Sequence, residues 1–346
     1  MKKILHRKPI LRPILKRYAW LYIIGIVTLY IVDYAGLFIP QLTGQITDGL
    51  AAHTMDKAGI LRVCGEMILC GAIVMVGRFI WRYCIFGTAR KVERDLRNQI
   101  FQKLETLSQS YYHANKTGDL MSYFTNDLET VRVAVGPVIV SAFDSVAMTL
   151  MVLYRMMTYV SVKLTLITLI PMAIIAVFGY FFGETIEKRY AKMQKAFGEL
   201  SDSVQESISG ERVIKAFVQE EKQQQDFAAA NDENRQVNLR LARIMATIWP
   251  VMEVLIGAAY VIAIGLGGYY CLTAEITLGK FVTFSSYVGT LVWPMIAFGD
   301  SLTMIIQGLA GMRRINQVFD EVPEIRNAED VLEVTELKGS ISFDHV

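Results

Sequence analysis

Several apolar stretches of the sequence contain ionisable side chains, in positions where a charge costs free energy. A carboxylate there could bind a cation, and an arginine could form an ion pair with it. Neither the four cysteines nor the four histidines have the paired spacing typical of a metal site. No carboxylate or hydroxyl has a partner at the spacing that catalysis needs, so we predict noncovalent recognition without catalytic or metal-binding residues. The charged residues within apolar stretches are Asp33, Arg78, Arg82, Asp144, Arg155, Glu253 and Asp300.

Glu253 and Asp300 allow two interpretations. In the first, they attract amphipathic cations into a cavity that opens toward the cytoplasm. In the second, they form ion pairs with Arg78 or Arg82, within one chain or between two chains. Aromatic side chains in the same stretches could line a path for apolar molecules. The predicted cavity residues are Asp33, Asp144, Glu253, Tyr287, Trp293, Phe298 and Asp300.

The composition is that of a membrane protein. Of the 346 residues, 53% are hydrophobic and 20% are charged, and mean hydropathy is +0.35. The apolar residues cluster into stretches that can each cross about 30 Å of hydrocarbon at about 1.5 Å per residue. We therefore predict an all-α membrane fold with six transmembrane helices. The predicted spans are 19–40, 59–86, 133–158, 162–183, 248–272 and 281–306.

The distribution of positive charge predicts the orientation of these spans. Most of the 35 Lys and Arg residues lie in residues 1–18, in the long segments 87–132 and 184–247, and after residue 306. The short loops on the opposite side contain only Lys57, Lys163 and Lys280. The positive-inside rule then places both termini and both long segments in the cytoplasm.

The segment 1–18 has an amphipathic helical pattern. Ile10, Leu11, Ile14, Leu15 and Tyr18 share one helical face, and the basic side chains lie away from it. We predict an elbow helix that lies on the inner membrane surface before the first span. The other interpretation is a basic tail without this role.

The pattern of both long cytoplasmic segments predicts pairs of helices that continue out of the bilayer and meet at a distant tip. About 25 extra residues per helix would project about 40 Å from the membrane. Gly118 and Gly210 are predicted to break the long helices, and Asn126 is predicted to cap the helix that returns to the membrane. Each tip would then be a short crosswise helix whose apolar residues contact nothing in the chain. Such a surface indicates a partner, and the alternative is that the hairpins pack on each other.

Four motifs resemble the membrane domain of ATP-binding-cassette (ABC) exporters. They are "TGDLMSYFTNDLETV", "SGERVIKAF", "EITLGKFVTF" and "GMRRINQVFDEVPEI". The stretch "YVGTLVWPMIAFGDSL" is similar to one subunit of the bacterial heterodimeric multidrug exporters. The resemblance covers residues 8–346, and it is specific because the tip motifs and the linker motif occur together.

The resemblance implies six spans followed by a cytoplasmic nucleotide-binding domain, with two intertwined subunits. It also implies that the two tips are coupling helices that dock on nucleotide-binding domains. Carried over by position, the first coupling helix comprises Gly118, Asp119, Leu120, Met121 and Phe124, and the second comprises Gly210, Arg212, Val213, Lys215, Ala216 and Phe217.

The end of the sequence changes its pattern. Residues 311–338 match the family's linker, and "GSISFDHV" at 339–346 alternates apolar and polar residues like the first strand of the family's nucleotide-binding domain. The chain contains no phosphate-binding loop, Walker B run or signature motif. We therefore expect a fragment that is not an enzyme by itself. ATP and Mg²⁺ are expected only in the complete transporter.

The predicted function is the transmembrane subunit of an ATP-driven exporter in the bacterial inner or plasma membrane. It would move hydrophobic or amphipathic drugs or lipids out of the cell by alternating access, paired with a second half-transporter in a heterodimer. The alternative is a subunit without an energy source, which acts as a scaffold or dominant partner. A six-span channel is disfavoured because the loop at 273–280 is too short for a re-entrant pore loop. We predict no nucleic-acid partner, since the basic runs lack interleaved aromatic residues.

Overall fold

The apolar runs of the sequence form long helices in the computed structural model. It describes residues 10–325, 336 and 339–344, apart from the side chains of 175, 176, 178–184 and 187. The helices are α1 (Leu11–Gly36), α2 (Phe38–Ala51), α3 (Lys57–Glu105), α4 (Gln109–Ala114), α5 (Thr117–Ser122), α6 (Leu128–Val135), α7 (Pro137–Phe143), α8 (Thr149–Arg155), α9 (Val162–Ser209), α10 (Glu211–Ala216), α11 (Glu220–Leu272) and α12 (Leu278–Asp320).

Five helical stretches of the described chain are long and apolar enough to cross a membrane. They are Leu11–Ala51, Lys57–Glu105, Thr117–Val160, Glu220–Leu272 and Leu278–Asp320. The predicted fourth span coincides with the start of α9, whose described apolar part is Val162–Ile174. The all-α membrane fold is thus confirmed, with five to six apolar helices.

The predicted elbow helix and the first span form one continuous helix, although the prediction treats them as separate. Helix α1 runs from Leu11 through Tyr18 to Gly36 without a break. Its N-terminal apolar face packs on buried residues of α3, α6 and α12, where Ile14 is buried, and the Tyr18 hydroxyl donates to Asp95 Oδ2 at 2.8 Å. Residues 1–9 lie outside the described part. The membrane-surface role of the elbow stays a prediction.

The helical stretch Thr117–Val160, which includes the third span, contains three π-helical turns, at Tyr123–Asp127, Asp144–Met148 and Met156–Val160. A π turn inserts one residue into the helical ladder, so it rotates the side chains that follow. Pro137 begins α7 because it lacks the N–H that a helix interior needs. The third span therefore presents its side chains in a register that the apolar pattern does not predict.

A hydrophobic core, called the tip-1 core here, joins α3, α6 and α12 at the base of the first hairpin. Leu96, Ile100, Leu128 and Ile315 are fully buried in it. Gly311 allows close packing of α12, because a Cβ there would overlap the residues around Asp127. This core supports the first tip.

The opposite ends of the spans are held by hydrogen bonds between α2 and α12. Asp48 accepts from the Gly279 backbone N–H at 2.6 Å and from the Thr277 hydroxyl at 2.7 Å. Thr277 also caps α12 by accepting from the Lys280 N–H at 3.2 Å. The backbones of Gly44 and Gly279 are too close for any side chain on Gly279.

The predicted strand at the C-terminus is not supported. Residues 339–344 are neither helix nor strand, and none of the other described residues forms a strand. The side chains of Ile341 and Phe343 are 80% and 81% exposed. A strand needs a neighbouring strand to pair its backbone groups, and no described segment provides one. Residues 345 and 346 of the predicted strand and most of the predicted linker after residue 325 lie outside the described part.

Candidate functional site

The first tip is built differently from the prediction. Helix α3 ends at Glu105, well before Gly118, because the last carbonyl groups find other donors. The Thr106 hydroxyl donates to Lys103 O at 2.7 Å, and the Tyr112 hydroxyl donates to Leu104 O at 2.8 Å. Gly118 lies inside α5 instead of at a helix break.

The return from the first tip is continuous. Asn126 lies within the π-helical turn that joins α5 to α6, so the predicted cap is wrong. Leu120 is buried and Phe124 is half-buried against the tip-1 core. The prediction that the apolar residues of this tip contact nothing is therefore wrong for these two. Gly118, Asp119 and Met121 are exposed, so they form the accessible side of α5.

The second tip matches its prediction more closely. Helix α9 ends at Ser209, and the Gly210 N–H closes the last turn by donating to Glu206 O at 2.8 Å. Val218 has a φ of 54°, which turns the chain into α11. Val213, Phe217 and Val218 are largely exposed, with Phe217 at 70%. We call these three residues the tip-2 stripe.

Polar groups and a shallow groove surround the tip-2 stripe. Lys215 Nζ lies 2.8 Å from Glu211 Oε1 on α10, and Arg212 and Ala216 are exposed beside them. Their hydrogen bond lowers the pKa of the Glu211 carboxyl and raises the pKa of the Lys215 ammonium. The groove between α9 and α11 is lined by the apolar side chains Val204, Ile208, Ile214 and Phe227. Both tips therefore have residues accessible to a partner, but only the second tip has a continuous exposed apolar surface.

An ion pair between a buried aspartate and an exposed arginine anchors the first tip, and the sequence does not predict it. Asp127 follows the tip directly, is 0% exposed and pairs with Arg314 of α12. The two residues are 187 positions apart, so no local pattern signals the contact. Glu93 of α3 accepts from Arg97 at 2.6 Å and from Arg90 at 3.1 Å, and it lies 3.6 Å from Arg132 of α6. The Asp127–Arg314 pair connects the tip to the end of α12.

The membrane-embedded carboxylates separate into two groups. Glu253 and Asp300 are exposed, and neither has an ion pair with any described residue of this chain. Asp33 is buried and Asp144 is half-buried, whereas Arg78 is exposed. Arg82 lies over the Trp81 ring at 5.5 Å. Pairing of Glu253 or Asp300 with these arginines is therefore not found within the chain.

The aromatic residues of the predicted cavity also differ from one another in solvent exposure. Tyr287 is fully buried between helices and donates to Leu37 O at 2.8 Å, so its assignment to the cavity surface is wrong. It is buried because α12 packs against α2 at this level. Trp293 and Phe298, further along α12, are exposed. Within the described residues no group of three or more His, Cys, Asp or Glu side chains could hold a metal ion.

Long apolar helices that extend beyond the membrane and end in two short helical tips define a polytopic transporter-type membrane domain. The chain matches the family model of the ABC transporter transmembrane region over residues 22–295. It therefore belongs to that family.

Several curated proteins are similar to the chain over nearly its whole length. It is 34% identical to the probable multidrug resistance ABC transporter ATP-binding/permease protein YheI of Bacillus subtilis, over 94% of this chain and 56% of the relative. It is 32% identical to the multidrug resistance-like ATP-binding protein MdlA of Escherichia coli, over 89% and 52%. It is 27% identical to the ATP-dependent lipid A-core flippase of Nitrosococcus oceani, over 95% and 54%. The chain thus spans about half the length of these relatives and matches their membrane part.

Proposed function

We propose that this chain is the membrane subunit of an ATP-driven exporter that moves hydrophobic or amphipathic compounds out of a bacterial cell. It would lie in the inner or plasma membrane with both termini in the cytoplasm and pair with a second half-transporter in a heterodimer. Family membership supports a transport role, and the names of the relatives concern drugs and a lipid. ATP and Mg²⁺ would be held by nucleotide-binding domains and not by residues of this chain.

The tip-2 stripe carries this proposal. The polar parts of α9 and α11 extend the stripe away from the membrane by about 25 residues, or about 40 Å. An exposed apolar surface at such a distance cannot contact lipid, so a protein partner is its expected occupant. We assign that surface to a nucleotide-binding domain, whose movement would pass through α9 and α11 to the spans.

The first tip would dock through its accessible side. Gly118, Asp119 and Met121 face outward, whereas Leu120 and Phe124 fasten α5 to the core. A force on α5 would therefore reach α6 and α12 together, because Asp127 and Arg314 join them. Domain closure would thus move both long hairpins and change the side to which the cavity opens.

The substrate would contact an exposed face of α12. Trp293 and Asp300 are two helical turns apart, so they lie on the same face, and both are exposed in the single chain. A carboxylate in direct contact with lipid is costly, so this face should line a water-filled cavity or contact the second subunit. Glu253 of α11 is exposed in the same way. This arrangement favours amphipathic cations among the substrates.

The docking role of the stripe is tested by Phe217→Ala in a transporter that carries nucleotide-binding domains, reconstituted in liposomes. We expect about tenfold slower substrate transport with retained ATP hydrolysis, because an exposed aromatic anchor contributes more than 1 kcal/mol to an interface. The melting temperature should not change, since Phe217 is largely exposed.

Phe101→Ala is the matched control, because Phe101 is a similarly exposed phenylalanine of α3 outside both tips. Unchanged transport in Phe217→Ala and in Met121→Ala would contradict the docking role of the tips. A complex that assembles with nucleotide-binding domains but never transports would instead favour the scaffold alternative.

The charge of the substrate face is tested by Glu253→Gln and Asp300→Asn. We expect each variant to transport a cationic substrate about fivefold less well than a neutral one of equal size, a loss of roughly 1 kcal/mol. Transport rates for the two substrates provide the measurement. Glu275→Gln, in the exposed loop between α11 and α12, serves as the control. Equal losses of transport rate for both substrates would indicate instead that Glu253 and Asp300 form ion pairs between subunits.

A further inference from the structure

An open cavity lies between the N-terminal end of α1 and the C-terminal part of α3. Its volume of about 370 Å³ is within the range of small-molecule sites. The cavity contains a guanidinium group, a carboxylate and two carboxamides, which are groups suited to a polar ligand. The lining residues are Pro13, Ile14 and Arg17 of α1 and Asp95, Asn98 and Gln99 of α3.

The positive charge at this cavity is only partly neutralised. Arg17 is exposed and forms no ion pair with any described residue. The first acidic residue of the sequence is Asp33, so the chain before Arg17 supplies no carboxylate either. Arg94 of α3 pairs with Asp95 at 2.8 Å through Nη2, and its Nη1 donates to no described residue. Both arginines therefore have N–H groups available to an anion.

Tyr18 connects the two arginines. The Arg17 guanidinium carbon lies 5.9 Å from the centre of the Tyr18 ring, and Arg94 Nη2 lies 3.5 Å from the Tyr18 hydroxyl oxygen. That hydroxyl donates to Asp95 Oδ2 at 2.8 Å, so Asp95 positions both Tyr18 and Arg94. The charge of Asp95 offsets that of Arg94, and Arg17 leaves the group with a net positive charge. A phosphate is the anion that guanidinium groups bind best, through charge-assisted hydrogen bonds.

An exposed stripe on α1 leads from Arg17 into the apolar part of the helix. Trp20, Ile24, Val27 and Ile31 follow Arg17 at spacings of three and four residues, so they share one helical face, and all four are exposed. Tryptophan prefers the boundary between membrane and water. The stripe therefore has a cation one turn outside this boundary and apolar side chains inside it. This is the order of the phosphate and the acyl chains in a phospholipid.

We propose that the cavity binds the headgroup of an anionic phospholipid, with its phosphate on Arg17 and Arg94 and its acyl chains along the exposed stripe of α1. Asn98 and Gln99 provide hydrogen bonds for headgroup hydroxyls. Because one phosphate contacts α1 and α3 together, the lipid links the cytoplasmic ends of these helices. The inner leaflet follows from the orientation proposed above. The site itself depends on neither nucleotide-binding domains nor transport.

Native mass spectrometry of the purified chain, titrated with phosphatidylglycerol in detergent, resolves single bound lipids and tests the site. We expect the first phosphatidylglycerol to bind about tenfold more tightly than phosphatidylcholine, whose phosphate is neutralised by its own ammonium group. Arg17→Gln and Arg94→Gln should each weaken phosphatidylglycerol binding about fivefold and reduce this preference. Arg235→Gln is the matched control, because Arg235 is an exposed arginine that pairs with an aspartate of α11 far from the cavity.

Competition between the two lipids on the wild type keeps the test decisive if a variant does not fold, which circular dichroism without added lipid would show. Equal affinities of the wild type for both lipids would overturn the proposal. Displacement of phosphatidylglycerol by an equal concentration of glycerol phosphate would show that the acyl chains contribute nothing, and it would exclude a lipid as the occupant. An unchanged preference in folded Arg17→Gln and Arg94→Gln would place the lipid elsewhere and also overturn the proposal.

Discussion

Arg314→Ala should lower the free energy of unfolding of the tip-1 core by about 3 kcal/mol. Its partner Asp127 is 0% exposed, and Asp127 Oδ2 receives no hydrogen bond from the described residues. Removal of the arginine leaves a buried charge without a counterion, which is the costly way to break an ion pair. We place the loss at the low end of the usual range because the Arg314 side chain is 58% exposed, so water can partly replace it. Thermal unfolding in detergent, followed by circular dichroism, measures the effect.

Arg313→Ala is the matched control for this prediction. Arg313 is the adjacent arginine on α12, and it is exposed with no ion pair to a described residue, so its loss should cost about 0.5 kcal/mol or less. The double variant Asp127→Ala/Arg314→Ala should be more stable than Arg314→Ala alone, because the orphaned charge is removed as well. Equal losses in the Arg313 and Arg314 variants would contradict a specific role for the buried pair.

Gly279→Ala should separate the outer ends of α2 and α12 and lower stability by about 3 kcal/mol or prevent accumulation in the membrane. A Cβ at this position would overlap the Gly44 carbonyl oxygen and the Asp48 carboxyl. Both obstacles are held in place, one by the backbone of α2 and the other by its hydrogen bonds to Thr277 and Gly279. The helices cannot accommodate the methyl group without moving apart. Membrane expression and the thermal midpoint of the purified chain provide the measurement.

Gly268→Ala provides the comparison for Gly279→Ala. Gly268 lies in the membrane part of α11, where an added Cβ would meet no atom within 4 Å. Alanine there should be neutral or slightly stabilising, because it favours a helix more than glycine does. A similar loss in both variants would attribute the effect to glycine as such and not to the contact between α2 and α12.

The sequence predicted the second tip well and the first tip poorly, and the difference has a local cause. Gly210 ends α9, and exposed polar residues surround the tip-2 stripe, so local preferences alone decide its shape. In the first tip, Leu120 and Phe124 find a core to pack against, and this packing overrides the break predicted at Gly118. Apolar residues at a helical tip therefore do not by themselves show whether they are covered.

The candidate cavity residues were likewise predicted only in part from the sequence. The hydropathy pattern placed Asp33, Asp144, Glu253 and Asp300 inside apolar stretches, but it treated all four as equivalent. Which carboxylate is exposed and which is buried depends on the rotation of each helix, and the π turn at Asp144 changes that rotation locally. The sequence does not distinguish a cavity-lining aromatic residue from a buried one, and the contact of Tyr287 with Leu37 depends on the packing of α2 on α12.

The sequence by itself determined the class of protein, the positions of the apolar helices, their extension beyond the membrane and the existence of two tips. These properties follow from the composition along the chain. The backbone N–H and C=O groups of a helix that crosses the lipid are hydrogen-bonded within the same segment, so each span is determined by its own residues. Only the tertiary structure decided that Tyr287 contacts Leu37 and that Arg314 meets Asp127. Such contacts join residues that are far apart in the sequence. They therefore depend on how the helices pack and rotate, which no local pattern contains.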